Sequence, residues 1–308
     1  MSLIVYPTLP KAPFEGKAVI ALGCFDGVHR GHASVILEGK RMAEKMRLPL
    51  AVFTFREPPK NYFLPNAVPL LTNEEEKKVQ IEALGADLLY SIPFEASIAS
   101  MPAEDFFARL LVEQLGAAAL VCGFNYNFGK GGLGNTELLS HLCKEKGLSL
   151  TVTPPILDEG SPVSSSRIRE AIAEGNVTAV RHMLGRPYAI CAEVINGQRL
   201  ARQLGFPTLN QPLSEKMAIP RYGVYLSRVR QIEKGYGITN VGMRPTVGGS
   251  LLCAETHIFD FSGDLYGKTL TVELLEFLRP ERPFPSVNAL REQVEKDIRE
   301  ARLLARGQ

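Results

Sequence analysis

The first half of the chain alternates short apolar runs with longer stretches of helical periodicity. Amphipathic segments with helix start and stop signals cover residues 72–84, 102–116 and 135–146. Strands that alternate with helices predict a parallel sheet with right-handed crossovers. Ligands of such sheets bind outside the carboxyl ends of the strands, so we expect a site there. The apolar runs of strand length cover residues 19–22, 49–55, 87–92, 118–122 and 148–152.

The pattern changes between about residues 177 and 188, where a last short helix closes and Gly185 and Pro187 mark a boundary. Beyond it, strand-like segments follow one another without helices, which predicts a small antiparallel β-barrel. One amphipathic C-terminal helix follows Ser286 and is expected to pack on the barrel wall. We therefore expect two domains, residues 1–184 and 187–308. The predicted strands are 188–196, 223–230, 235–241, 254–261 and 269–278, and the apolar helix face is Leu290, Val294, Ile298 and Ala301.

Composition limits the function classes. A length of 308 residues suits two domains, and the net charge of +2 argues against nucleic-acid binding. The first six residues lack the features of a signal peptide, and no apolar run approaches the roughly 18 residues that span a bilayer. Five scattered cysteines are typical of reduced thiols. We expect a cytoplasmic protein without membrane partners, whose oligomeric state the sequence leaves open.

Residues 19–32, VIALGCFDGVHRGH, carry the first candidate site. Three glycines spaced by four follow the apolar run and allow the backbone to approach a ligand closely. A helix that begins there would direct its free N–H groups at an anion, with His29 and His32 on one face. The alternatives are a metal pair or an ordinary helix surface, but zinc needs three or four ligands. The residues predicted to bind phosphate in this turn are Gly23, Phe25, Asp26, Gly27 and Gly31.

Two later loops follow predicted strands. The loop 123–129, GFNYNFG, combines aromatic rings with glycines, which suits stacking on a flat heterocycle unless the rings only fill the core. The segment 164–169, SSSRIR, precedes a helix and could bind a triphosphate, although a serine cap with solvated arginines is the alternative. The candidates are Phe124, Asn125, Tyr126 and Phe128 for the heterocycle, and Ser164, Ser165, Ser166 and Arg169 for phosphate.

The barrel carries its own candidates. In GFPTLN, residues 205–210, Thr208 and Asn210 lie on one face of an extended segment. Their hydroxyl and amide oxygens suit Mg²⁺ and phosphate. Glu255 could accept a proton from an attacking hydroxyl. Each of these residues alone could equally be an ordinary strand residue.

Taken together, these segments resemble a known family over nearly the whole chain. The first half is similar to the adenylyltransferase half of bacterial bifunctional riboflavin kinase/FAD synthetases, which carries G-x-F-D-G-x-H-x-G-H, G-x-N-F-x-F-G and S-S-T-x-I-R. Tyr126 and Ser166 replace the usual Phe and Thr. The second half is similar to riboflavin kinase through G-F-P-T-x-N, G-V-Y, N-x-G-x-R-P-T and D-L-Y-G-K. The resemblance implies an α/β nucleotidyltransferase with a Rossmann-like sheet, followed by the barrel.

The resemblance also implies two consecutive reactions. The barrel would transfer the γ-phosphoryl group of Mg-ATP to riboflavin, giving FMN, with Glu255 as base. The first domain would join FMN to the α-phosphorus of a second ATP, giving FAD and pyrophosphate. ATP, riboflavin and FMN would be the small-molecule partners, and no tightly bound redox cofactor is required. The implied roles are His29 and His32 in adenylyl transfer, Thr208 and Asn210 for Mg²⁺, Arg244 for flavin, and Gly197 and Arg202 for ATP.

Two rival functions remain open at this level. The chain could be an FMN adenylyltransferase whose barrel only binds flavin, or a non-catalytic flavin-binding regulatory protein. One departure bears on the first rival, because Ala201 stands where the family usually has glycine. If the backbone there needs a positive φ, alanine would hinder ATP binding by the barrel.

Overall fold

A computed structural model describes residues 2–195, 206–246 and 249–307. The chain forms two compact units, Met1–Ser165 and Ser166–Gln308. Residues 166–184, which we assigned to the first domain, group with the second unit, where the Arg221 N–H donates to the Ile172 carbonyl at 3.1 Å. Independent folding of 1–184 and 187–308 stays a prediction.

The first unit is built on a six-stranded parallel sheet. Its order is β1-β4-β3-β2-β5-β6. A two-stranded hairpin of β7 and β8 follows. The strands are β1 Ile4–Tyr6, β2 Ala18–Leu22, β3 Leu50–Phe55, β4 Leu88–Ile92, β5 Ala117–Gly123, β6 Ser149–Thr153, β7 Leu157–Asp158 and β8 Ser161–Pro162.

Polar side chains cap the main helices of the first unit. The Asn73 side chain caps the helix that begins at Glu74, and the Asn135 side chain caps the helix that begins at Thr136, each by accepting a backbone N–H of the first turn. The His29 ring caps the helix that begins at Arg30 in the same way. No helix among the described residues is long and apolar enough to cross a membrane. The helices are α1 Arg30–Met46, α2 Lys60–Phe63, α3 Glu74–Ala83, α4 Ala96–Ala99, α5 Ala103–Asp105, a π-helix Phe106–Gln114, a 3₁₀ turn Lys130–Gly132 and α6 Thr136–Glu145.

The segment 102–116 differs from its prediction as one regular helix. One turn of α-helix leads into the π-helix, which closes with the Leu115 N–H donating to the Leu110 carbonyl at 3.0 Å, five residues back. The wider turn buries Phe106, Phe107 and Leu110 in the core. Packing against the sheet has therefore overridden the α-helical spacing of the sequence.

The first unit has a core on each face of its sheet. Every residue of β2 is buried. Ile20 and Leu22 face one apolar cluster, whereas Val19 and Ala21 face the other. The continuous apolar run of this strand is thus explained by burial on both faces, as expected for a parallel sheet.

The second unit is a nearly closed antiparallel barrel with helices beside it. Its six strands follow the order β10-β13-β12-β11-β14-β9, and the Ile195 N–H donates to the Asn210 carbonyl at 2.9 Å across the open seam. The predicted fold class is confirmed. The elements are α7 Ser165–Glu174, α8 Val177–Leu184, β9 Tyr188–Glu193, β10 Leu209–Pro212, β11 Gly223–Val229, β12 Tyr236–Thr246, β13 Gly249–Ile258, β14 Thr269–Pro280 and α9 Val287–Ala305.

Helix α9 packs on the barrel as predicted. The Ser286 hydroxyl caps it by accepting the Ala289 N–H at 3.1 Å. Ala301 is buried against barrel residues, and the buried Asp297 carboxylate accepts Arg279 Nη2 at 2.7 Å. The helix is therefore held by an apolar face and by one buried ion pair.

Removing this ion pair should destabilise the second unit. Asp297→Ala leaves the Arg279 guanidinium without its carboxylate in a mostly buried position, so we expect a loss of about 3–5 kcal/mol of unfolding free energy. Urea unfolding of the full chain, followed by circular dichroism, measures it. Asp260→Ala is the control, because it breaks an exposed pair with Arg302. Equal stability losses in the two variants would contradict the prediction.

Candidate active sites

A cavity of about 580 Å³ opens at the carboxyl ends of the parallel strands. Its wall includes residues that follow β2, β5 and β6, which is where ligands bind in such sheets. Among the described residues, no aspartate or glutamate lines it. The predicted site residues found on its wall are Gly23, Phe25, His29, Gly31, His32, Phe124, Asn125, Tyr126, Phe128, Ser164 and Ser165.

His29 and His32 form a stacked pair at the start of α1. Their ring centroids lie 3.6 Å apart with planes 16° from parallel. His29 Nδ1 accepts the His32 N–H at 3.2 Å, so the proton of the neutral His29 ring is on Nε2. His32 Nδ1 is buried and has no hydrogen-bond partner. Burial, then His29, then the charge of Lys77 lower the pKa of His32 well below 6.5, so this ring is neutral at pH 7.

This lowered pKa makes stability depend on pH. Well above pH 6.5 His32 is neutral in both the folded and unfolded chains, so it contributes no slope there. Below pH 6.5 the unfolded chain takes up the proton first, and stability should fall by up to about 1.4 kcal/mol per pH unit. Urea unfolding between pH 7 and 5 measures this slope. His32→Gln should reduce it, whereas His141→Gln, at an exposed position, should not; equal slopes in all three proteins would contradict the prediction.

The glycine turn adopts an unusual backbone. Phe25 and Val28 have positive φ values of 47° and 39°, and Gly27 has 85°. The buried Phe25 ring meets His32 edge-on at 5.3 Å, and a Cβ on Gly23 would lie only 2.9 Å from that ring. The Phe25 ring therefore packs against both the turn and the histidine pair.

Asp26 and Gly27 are not part of the cavity wall, although both were predicted to bind phosphate. The Asp26 carboxylate accepts the Leu71 N–H at 2.9 Å, and its carbonyl accepts the Ser165 hydroxyl at 3.0 Å. The Gly27 N–H donates to the Thr72 hydroxyl at 3.3 Å. These bonds join the turn to Leu71 and Thr72, about 45 residues away, and to Ser165, which gives both residues a structural role. Phosphate binding by Asp26 and Gly27 stays a prediction.

The aromatic loop divides between core and cavity. Phe128 is buried against Phe106, as the core-filling alternative expected, and Tyr126 stacks on Phe128 at 5.8 Å. Burial raises the pKa of Tyr126, so its hydroxyl stays protonated. Phe124 is 44% exposed on the cavity wall. Phe124 is thus the ring of this loop best placed to stack on a ligand.

An aromatic group on the cavity wall was missed from the sequence. Phe55, at the end of β3, meets Phe94 edge-on at 4.9 Å, and Phe63 of α2 lies 6.1 Å from Phe94. All three line the cavity. The alternation F-T-F at the end of β3 was the only local signal, and Phe94 lies too far along the chain to be joined to it by spacing.

The serine segment is divided between the two units. Ser164 and Ser165 line the cavity, so two of the three predicted hydroxyls are present there. Ser166 and Arg169 lie in the first turn of α7, in the second unit, where Ser166 is exposed and Arg169 half-buried. Phosphate binding by these two residues stays a prediction.

The barrel brings three predicted residues together. Asn210 on β10 pairs with Glu255 on β13. Arg244 on β12 donates from Nη1 to Asn210 Oδ1 at 2.8 Å, and its Nε lies 3.5 Å from Glu255 Oε1. Burial raises the pKa of Glu255 and is the largest effect. The charge of Arg244 lowers this pKa and the charge of Glu281 raises it, so the net shift is upward. A carboxylate with a raised pKa is a better proton acceptor than an ordinary one.

Glu281 was not predicted. Its Oε1 accepts Asn240 Nδ2 at 3.0 Å, and Asn240 pairs with Glu255 across the strands. A Cβ on Gly242 would collide with the Glu281 carboxylate, so the glycine leaves room for it. Glu281 lies just after β14, and only the barrel topology brings it to this site.

Thr208 and Asn210 are the candidate Mg²⁺ ligands. Thr208 precedes β10, and its carbonyl accepts Asn210 Nδ2 at 3.4 Å. Asn210 Oδ1 accepts one bond from Arg244 and retains a second lone pair. Hydroxyl and amide oxygens fit a hard cation that also binds substrate phosphates. Gly197, Ala201 and Arg202 lie outside the described residues.

Comparisons with known proteins cover both units. A family model described as FAD synthetase matches residues 11–167, and one described as riboflavin kinase matches residues 184–305. Three relatives named bifunctional riboflavin kinase/FMN adenylyltransferase are similar over most of their length. The Pseudomonas fluorescens protein is 34% identical over 95% of this chain and 94% of its own. The Escherichia coli K12 and Bacillus subtilis proteins are each 35% identical, over 96% and 93% of this chain and 94% and 92% of their own.

One solved structure is also similar over nearly the whole chain. It is a crystal structure of a Streptococcus pneumoniae protein described as a macrolide-efflux protein. The sequence identity is 31%, the TM-score is 0.86, and the match covers 96% of this chain and 97% of the other.

Proposed function

The chain belongs to the family of bifunctional riboflavin kinase/FMN adenylyltransferases, and from this premise we propose that it makes FAD from riboflavin in two ATP-dependent steps. The family resemblance predicted from the motifs is confirmed. The observation that carries the proposal is the presence of two separate polar sites, one in each unit. One is the histidine pair on a cavity whose described wall has no carboxylate, and the other is the Arg244–Glu255 pair in the barrel.

In the barrel, phosphoryl transfer requires a base and charge neutralisation. Glu255 takes the proton of the riboflavin 5′-hydroxyl as that oxygen bonds to the γ-phosphorus of ATP and the bond to ADP breaks. Its raised pKa and its position opposite Asn210 support this role. Thr208 and Asn210 would hold Mg²⁺, which supplies charge neutralisation for the phosphates. Arg244 positions both Asn210 and Glu255, and contact of Arg244 with flavin remains a prediction.

In the first unit, adenylyl transfer requires donors and no base. A phosphate oxygen of FMN attacks the α-phosphorus of ATP, and pyrophosphate leaves. The nucleophile is already an anion, so the protein has only to stabilise charge around phosphorus. His29 Nε2–H, His32, the turn amides and the hydroxyls of Ser164 and Ser165 are the donors on the cavity wall. The flavin ring would pack against aromatic residues of the same wall.

One assay separates this proposal from its rivals. The full chain is incubated with riboflavin and Mg-ATP, or with FMN and Mg-ATP, and FMN and FAD are separated by chromatography. FAD from riboflavin supports both activities. FAD from supplied FMN alone would indicate an adenylyltransferase with a flavin-binding barrel, and no product at all would favour a binding protein. Cytoplasmic location and the lack of nucleic-acid partners stay predictions.

A further inference from the structure

The first unit contains a buried cation that the mechanism above does not use. Lys77 of α3 is 2% exposed. Its ammonium donates to the Phe55 carbonyl at 3.0 Å and the Arg56 carbonyl at 2.9 Å, and it pairs with Glu74 at 3.3 Å. A buried ammonium is costly unless all three donors are satisfied, and these three acceptors satisfy them.

The partners of Lys77 connect it to the cavity wall. Phe55 is the last residue of β3 and Arg56 follows it, and Phe55 lines the cavity in edge contact with Phe94. Glu74 also accepts the Ser91 hydroxyl at 2.7 Å from the neighbouring strand β4. The Lys77 ammonium therefore binds the end of β3 directly and is connected to β4 through Glu74. Both links lie next to Phe55, the residue at the end of β3 that lines the cavity.

The charge of Lys77 also acts on the cavity. It is one of the groups that lower the pKa of His32, after burial and His29. The Glu74 side chain is 45% exposed, so water screens its carboxylate, whereas the ammonium is out of water. The remaining titratable side chains on the described cavity wall are Cys24, Lys60 and Tyr126, and no carboxylate is among them.

We propose that Lys77 is a positioning residue for adenylyl transfer. It fixes the wall formed by Phe55 and Phe94, and its positive charge acts on the His29–His32 pair, at which the phosphates would bind. This inference rests on the proposed function, because it takes the ligands of the cavity to be FMN and ATP. The matching substrate chemistry is a flat ring that carries a phosphate.

The test is Lys77→Met in the full chain, which keeps the length of the side chain and removes its charge and donors. We expect KM for FMN in adenylyl transfer to rise at least tenfold, KM for ATP to change less, and FMN formation from riboflavin to stay at the parent rate. Titration of the histidine Cε1–H signals by NMR should show the pKa of His32 moving up towards 6.5. Lys78→Met, its half-buried neighbour on α3, is the matched control and should behave as the parent.

An unchanged KM for FMN together with an unchanged His32 titration in folded Lys77→Met would overturn the proposal. Equal rises in both KM values with no change in the titration would mean a purely structural role and would also overturn it. If Lys77→Met does not fold, Glu74→Gln replaces it; this variant leaves the ammonium less compensated and should lower the pKa of His32 further, and an unchanged titration would again overturn the proposal. A parent protein that makes no FAD from FMN would instead refute the proposed function, and the titration would still test the charge of Lys77.

Discussion

Glu255→Gln should lower FMN formation from riboflavin by about 10²–10⁴-fold, the usual contribution of a general base. Glutamine keeps the shape of the side chain and can still accept from Arg244, but it cannot take the proton of the riboflavin hydroxyl. FAD formation from supplied FMN should stay at the parent rate, because Glu255 and the histidine pair lie in different units. The measurement is the initial rate of each product from each flavin, separated by chromatography.

Glu276→Gln is the control for this variant, since Glu276 is a half-buried residue of β14 outside the candidate site. It should phosphorylate riboflavin as the parent does. Parent-like FMN formation by Glu255→Gln would remove Glu255 as the base. Loss of FAD formation from supplied FMN in a folded Glu255→Gln protein would contradict the division of the reactions between the units.

His32→Ala should lower FAD formation and leave FMN formation intact, which is the reverse of the effect expected for Glu255→Gln. Loss of a donor to the charge that develops around phosphorus typically costs about 2.7–4 kcal/mol, or roughly 10²–10³ in rate, and we expect this loss for FAD formation. The change also removes the ring that stacks on His29. Phosphorylation of riboflavin should continue, so FMN should accumulate when riboflavin and Mg-ATP are supplied.

His141→Ala is the matched histidine control, because His141 lies on the exposed face of α6 beside Glu145. It should produce FAD at the parent rate. A parallel fall of both activities in His32→Ala would indicate a general folding defect. An unchanged rate of FAD formation would show that His32 does not contact the reacting phosphate.

The sequence predicted the elements whose signals are local. The five apolar runs became strands β2 to β6, and the spacing of His29 and His32 placed both rings on one helical turn. The strands β1 and β10 were missed, because three or four residues carry too little pattern. The π-helix could not be predicted, since side chains of other segments determine which of its residues are buried.

Residue roles were harder to predict where they depend on distant segments. Lys77 belongs to the charged stretch EEEKK, which resembles any solvated helix start, and its burial depends on carbonyls 21 and 22 residues upstream. Phosphate binding by Asp26 stays a prediction, and the bond that its carboxylate accepts from an N–H 45 residues away was not predicted. Glu281 reaches Asn240 only through the barrel topology. In each case the chemistry of the residue was visible and its partner was not.

The π-helix Phe106–Gln114 bears on how the chain can change in length during evolution. A π-helix holds one residue more between bonded groups than an α-helix, so deleting one residue there would allow ordinary α-helical bonding. Because the wider turn already accommodates the extra residue, side chains before and after the deletion would keep nearly the same facing. Phe106 and Leu110, now buried together, would be three residues apart in an α-helix and would still share one face. Relatives that lack one residue in this segment should therefore have an ordinary α-helix there with the same side chains in the core.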